Sequence, residues 1–186
     1  MNVLEYVNTL TTDELRARLA EYMEKDPMLH PPMVAVEVRL SSDDHANCRY
    51  EVCLIDEEGT ETPIKFRDRY SRLIYIYTLL HPKGYQRRKA AVDNYSALRR
   101  LYSLLYFKDS SAVLKTIDST DDKRPGHFMS HYIAQARKAV RQTAPYAEQF
   151  LIDRPQNHNG KTLIPFAADG GTIILDATLS NCTCNL

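Results

Sequence analysis

The run Leu73-Ile74-Tyr75-Ile76-Tyr77-Thr78-Leu79-Leu80 decides the fold. Its β-branched and aromatic side chains suit a strand. Its surroundings suit a helix. Tyr70, Leu73, Ile74, Tyr77 and Leu80 recur at three- and four-residue intervals, Asp68 stands where an N-cap is needed, and His81-Pro82-Lys83-Gly84 supplies a stop. The spacing therefore predicts a helix, the first of three in succession.

Working outward, Ala91, Tyr95, Leu98, Tyr102 and Leu105 form the apolar stripe of a second helix, with Arg99 and Arg100 off the stripe. Phe128, Met129, Tyr132, Ile133, Ala136 and Val140 mark a third, ended near Thr143 by Pro145. The intervening Ser110 to Arg124 reads as loop. Upstream, Thr11 and Glu14 stand at capping-box spacing ahead of Leu15, Leu19, Tyr22 and Met23, so a helix starts there and ends at Asp26-Pro27. Met33 to Leu40 alternates, with Val34, Val36 and Val38 expected on one face and Glu37 and Arg39 on the other. Ser41 to Asn47 is a polar turn, Tyr50 to Ile55 the returning strand, and Pro63 to Phe66 a short third strand. Downstream, Phe150-Leu151-Ile152, Thr162-Leu163-Ile164 and Thr172 to Leu175 are strand candidates. Asn157 to Gly160 and Asp169 to Gly171 are the turns between them.

Helix, strands, three helices and strands make an α+β layout, not the alternation of a doubly wound sheet. The chain of 186 residues holds one domain or two small ones. Its expected division is an N-terminal helix and connector over 1–32, a main domain over 33–176 and a flexible tail over 177–186.

Lys and Arg number 24, as do Asp and Glu, so the formal net charge is zero. The charges are segregated. Residues 1–64 carry a net −9, residues 65–141 a net +11 and the remainder −2. A cationic helical region flanked by acidic ones points to an anionic partner, nucleic acid in the first instance, or to acidic and basic parts of the chain packing together.

Chemical motifs are sparse. No G-x-G-x-x-G, Walker-type or G-x-S-x-G sequence occurs, and no acid, base and nucleophile cluster, so an enzyme is not expected. No cofactor is implied. Cys48 and Cys53 read as small hydrophobes on a strand, and Cys182 and Cys184 as part of a polar tail. His127 and His131, at i and i+4, lack an evident third ligand, so no metal site is expected. The N-terminus does not read as a secretory signal and no run is long enough to span a membrane, so a cytoplasmic protein without membrane attachment is expected.

The third helix offers the sharpest candidate. With its apolar stripe inward, Ser130, His131, Ala134, Arg137, Lys138 and Arg141 fall on the outward face, a mixture of small and cationic groups suited to a major groove. An amphipathic helix pair, a third helix with the run Ile133-Ala134-Gln135-Ala136-Arg137-Lys138-Ala139-Val140, and then strand-turn-strand resembles a winged-helix DNA-binding domain. The type it resembles most is the effector domain of OmpR-like response regulators, with strands ahead of the helices. The segments 72–85 and 98–102 also resemble the first two helices of winged-helix modules in uncharacterised Bacteroidetes proteins. The resemblance covers Val34 to Leu175. It implies a three-helix winged-helix-like core between an N-terminal β-hairpin and a C-terminal β-hairpin wing, and a transcription-regulatory, double-stranded-DNA-binding function.

The helix around 127–143 would be the recognition helix. Arg137, Lys138 and Arg141 would reach groove or phosphates, with Ser130 and His131 on the same face. Lys161 on the wing and Arg87, Arg88 and Lys89 at the second helix start would make backbone contacts. The chain departs from the family in the roughly twenty residues separating its second and third helices, where a helix-turn-helix has a tight turn. The alternative expectation keeps the fold without DNA. Basic, Tyr-rich helices would then bind a protein partner or a second copy, since Tyr and Arg are enriched at hot spots.

Overall fold

The computed structural model describes residues 11–25, 31–41, 48–82, 84–86, 91–106, 127–153, 156–158, 161–164 and 171–182. Residues 42–47 of the expected polar turn, the expected loop 110–124 and Arg87 to Lys89 fall outside the described residues. The chain forms two compact units, 1–32 and 33–186.

The first unit contains helix α1, Thr12–Lys25. Its start is a capping box: Glu14 N–H donates to Thr11 Oγ1 at 3.3 Å, and Glu14 Oε2 accepts from Thr11 N–H at 2.8 Å. The bond from Thr11 N–H, joined by one from the Thr11 hydroxyl to Glu14 Oε2 at 2.8 Å, holds the Glu14 carboxyl below its ordinary pKa.

The second unit is built on a mixed four-stranded sheet of β1 (Met33–Leu40), β2 (Tyr50–Asp56), β3 (Glu61–Pro63) and β7 (Thr172–Leu175), in the order β3-β2-β1-β7. β1 and β2 pair antiparallel, with a bulge where Met33 faces Asp56 and Ala35 faces Ile55. That extra residue interrupts the alternation expected from the sequence. Val36 and Val38 are buried as expected, but Val34 is 40% exposed.

At the β2–β3 turn the buried Asp56 carboxylate accepts from Glu58 N–H at 3.0 Å and Thr60 N–H at 2.8 Å, and Gly59 takes the left-handed φ of 82° that closes it. The third strand thus forms at 61–63 instead of starting at Pro63. One more ladder bond, Ile64 N–H to Val52 carbonyl at 2.8 Å, follows it. β7 runs parallel to β1, Ala35 opposite Thr172 through Val38 opposite Leu175.

The decisive run is helical: α2 spans Arg69–Leu80. Asp68 Oδ1 accepts from Tyr70 N–H at 2.9 Å and Ser71 N–H at 2.8 Å, which nucleates the helix. At its other end His81 Nδ1 donates to the Tyr77 carbonyl at 2.8 Å, and Gly84 adopts a φ of 86°. Ser71 and every residue from Leu73 to Leu80 are buried. A helix enclosed on nearly all sides needs apolar residues around its whole circumference, which explains its strand-like composition. Its buried hydroxyls are satisfied: Tyr75 donates to the Phe150 carbonyl at 2.7 Å, and Thr78 to the Ile74 carbonyl at 2.8 Å. Burial raises the Tyr75 phenol well above its ordinary pKa and pushes Tyr77 up to about 12.

Helices α3 (Ala91–Leu105) and α4 (His127–Thr143) both pack on α2. One core joins the inner face of the four-stranded sheet to all three helices, through Val36, Val38, Leu54, Ile76, Leu98, Leu101, Val140 and Phe150 among others. Each such side chain contributes roughly 1.5–3 kcal/mol on burial.

After α4 the chain differs from the expectation in three places. Residues 150–152 are not a strand. A 3-10 turn, Glu148–Phe150, follows Pro145, and its closing bond from Leu151 N–H to Glu148 carbonyl delivers Phe150, Leu151 and Ile152 into the core. Asn157 and His158, read as turn, belong to β5 (Gln156–His158), which pairs with β6 (Lys161–Ile164) as a hairpin. β6 also pairs with the short β4, Tyr85–Gln86, completing a three-stranded sheet of order β4-β6-β5. Thr172 to Leu175 therefore joins the other sheet and is no part of this hairpin. Residues 177–182, expected as tail, form helix α5 (Ala177–Cys182). Asp176 Oδ1 accepts from Thr178 N–H at 2.9 Å, and Leu179 is fully buried. The described residues thus hold five α-helices with a mixed sheet, an α+β fold.

Candidate nucleic-acid interface

Helix α4 has two faces. Met129, Ile133, Ala136, Ala139 and Val140 are buried, while His131, Ala134, Lys138, Arg141 and Gln142 are exposed. No residue of the helix is acidic. Ser130 and Arg137 are half-buried between the two faces.

Arg137 is correspondingly less outward than its spacing suggests. Its Nη1 donates to the Ile152 carbonyl at 2.8 Å, a contact made where the chain doubles back after α4. The guanidinium is thereby anchored to the body of the protein. Arg141 reaches Glu148 in a fork, Nε to Oε1 at 3.2 Å and Nη2 to Oε2 at 3.4 Å. Both side chains are half-exposed or more, so the pair contributes at most about 1 kcal/mol. A phosphate in that position could replace the carboxylate at small cost. Lys138, one residue from Arg137, stands exposed.

Sequence reasoning placed five candidates, Ser130, His131, Arg137, Lys138 and Arg141, on this helix, and the structure brings them together there. It missed Glu148, which lies beyond Pro145 and so escapes helical spacing. Of the remaining candidates, Lys161 opens β6 opposite His158 at the hairpin end, its side chain outside the described residues. Arg87, Arg88 and Lys89 lie wholly outside them.

Aromatic rings join α4 to α2 and α3. Tyr132 lies 5.0 Å from Tyr70 and 4.8 Å, edge-on, from His131, and Tyr70 lies 6.3 Å from Tyr102. Burial, with Asp68 and Tyr70 adding to it, raises the Tyr132 phenol above its ordinary pKa. Exposed Arg69 donates from Nη1 to Tyr102 Oη at 3.1 Å, and Tyr106 donates back to the Arg69 carbonyl at 3.0 Å. Tyr75, Tyr77, Tyr85, Tyr102 and Tyr106 are buried, so these five are core residues and not a contact surface. Arg99 and Arg100 are exposed on α3, between buried Leu98 and Leu101.

The outward face of the four-stranded sheet is arranged differently. Arg39 is bound by three carboxylates: Glu61 at 2.6 Å, Glu51 at 2.8 Å and Glu37 at 3.3 Å. Arg39 in turn holds the Glu61 carboxyl below its ordinary pKa. Buried Cys53 sits among them, its thiol pushed up by desolvation and by Glu51. Among the described residues, no group of three or more His, Cys, Asp or Glu side chains is arranged to hold a metal ion. No helix among them is long and apolar enough to cross a membrane.

The chain matches no protein-family model, no curated protein and no solved structure.

Proposed function

We propose that this chain is a winged-helix-like protein that binds duplex nucleic acid, with α4 laid against the groove and its cations on phosphate. The observation carrying this reading is the outward face of α4, to which the helix itself contributes no acid and where exposed His131, Lys138 and Arg141 surround Ala134. A small central residue permits close approach, and flanking cations release counterions from the duplex.

Connectivity supports the same reading. Helix α2, short strand β4, helices α3 and α4 and hairpin β5–β6 follow in the order of a winged helix, with β4 pairing to the hairpin's second strand. Lys138 and Arg141 are the phosphate ligands in this proposal, and Arg137 is the anchor holding α4 to the segment that follows it. Glu148 is the carboxylate that a phosphate would displace from Arg141.

Fluorescence anisotropy of a labelled mixed-sequence duplex across a salt series tests the proposal. Affinity should fall steeply with salt, and Lys138→Ala should reduce the log–log slope by about 1. No affinity for duplex even at low salt would overturn it.

A second reading, a protein-binding module, draws on the engagement of Arg137 and Arg141 by groups of the same chain. It expects no salt-dependent duplex binding and instead capture of an acidic protein surface by Arg99, Arg100 and Lys138.

A further inference from the structure

The two edges of the four-stranded sheet are unlike. β3 is three residues long and carries Glu61 and Pro63, a charge and a missing N–H that discourage a further strand. β7, at the opposite edge, reads Thr172-Ile173-Ile174-Leu175, without charge, proline or bulge along its pairing with β1. Among the described residues no strand pairs with its outer edge.

A separate observation concerns the two strands on this side of the sheet. Among the described residues of 33–186, the exposed large hydrophobics are Val34 at 40%, Leu40 at 57% and Ile174 at 40%, all on β1 or β7. Ile173 and Leu175, on the core side of the sheet, are covered only in part.

The edge is complementary to itself. In antiparallel pairing about a two-fold axis at Ile174, that residue faces Ile174 of the second copy, and Ile173 faces Leu175. Thr172 then faces Asp176. Core-side residues stay on one face in both copies, so two sheets of four strands become one of eight. The register sets no like charges opposite each other, since the one acid, Asp176, meets a threonine. β7 itself offers no charge to a charged partner segment, whereas its own copy offers matching aliphatic side chains.

We propose that the chain forms a two-fold dimer by antiparallel pairing of β7 with β7 of a second copy. The pairing rests on the sheet alone and does not depend on nucleic-acid binding.

Sedimentation equilibrium of the full chain without nucleic acid, from low to high micromolar concentration, tests it. The expected mass rises toward twice the 21.4 kDa of one chain. Ile174→Lys sets two ammonium groups across the axis and should weaken the dimer at least about tenfold, with circular dichroism unchanged. Should that variant unfold, Ile174→Cys in a Cys182→Ser, Cys184→Ser background provides the second route. Mild oxidation should then yield a disulfide-linked dimer. A monomer at every concentration would overturn the proposal, as would a dimer unweakened by Ile174→Lys or an Ile174→Cys variant that does not cross-link.

Discussion

Arg39 on the sheet and Arg141 on α4 are both arginines paired with glutamate, yet they stand in opposite electrostatic settings. Arg39 is enclosed by Glu37, Glu51 and Glu61, so its charge is more than cancelled by its own chain. Arg141 meets the single carboxylate of Glu148, at longer distance and in more solvent, on a helix without acids, beside exposed Lys138. The first arrangement ties three strands together. The second leaves a cationic face. A basic residue count alone does not distinguish the two; what differs is how many carboxylates each guanidinium already serves.

The sharpest way to break the comparison is to reverse the charge on one side of it. Lys138→Glu with Arg141→Glu should lower duplex affinity by on the order of a hundredfold or more at low salt, while unfolding by urea changes little. Arg39→Gln should do the opposite, leaving duplex binding intact and reducing stability by about 1 kcal/mol, since its partners are partly exposed.

Packing provides a larger stability effect that neither charge substitution should approach. Phe150→Ala empties a fully buried site that receives the Tyr75 hydroxyl on its backbone, at a cost of about 3–5 kcal/mol in urea-induced unfolding. Losing α2's anchor is smaller: Asp68→Ala removes the acceptor of two N–H groups and should cost about 1 kcal/mol, read in the same assay.

The fold was legible in the sequence wherever a local signal agreed with the long-range one. Thr11 with Glu14, Asp68 ahead of Tyr70, and the stripes of α3 and α4 each announce a helix through spacing and caps, and each is a helix. Signals failed where pairing partners lie far apart in the chain. Nothing local to Thr172 to Leu175 says that it joins β1, more than a hundred residues earlier, instead of the neighbouring hairpin. Val34 is turned out by a one-residue bulge that alternation cannot reveal. On the candidate interface, spacing identified the outward stripe of α4. It could not see that the Ile152 carbonyl would receive Arg137 or that Glu148 would meet Arg141, because both partners follow a turn.

The smallest expected effect sharpens the contrast by titration. Arg39 lowers the Glu61 carboxyl pKa in the folded state, so the stability from that pairing is present above the ordinary glutamate value and is lost as pH falls through the folded one. In side-chain carbon NMR, Glu61 should titrate below its ordinary value in the native protein and return to it in Arg39→Gln.

Duplex binding across a salt series, native chain against the Lys138→Glu, Arg141→Glu double variant, bears most directly on the role assigned to α4. A steep salt dependence in the native chain that collapses in a folded double variant is the expected result. Equal affinity and equal slope in the two proteins would contradict it.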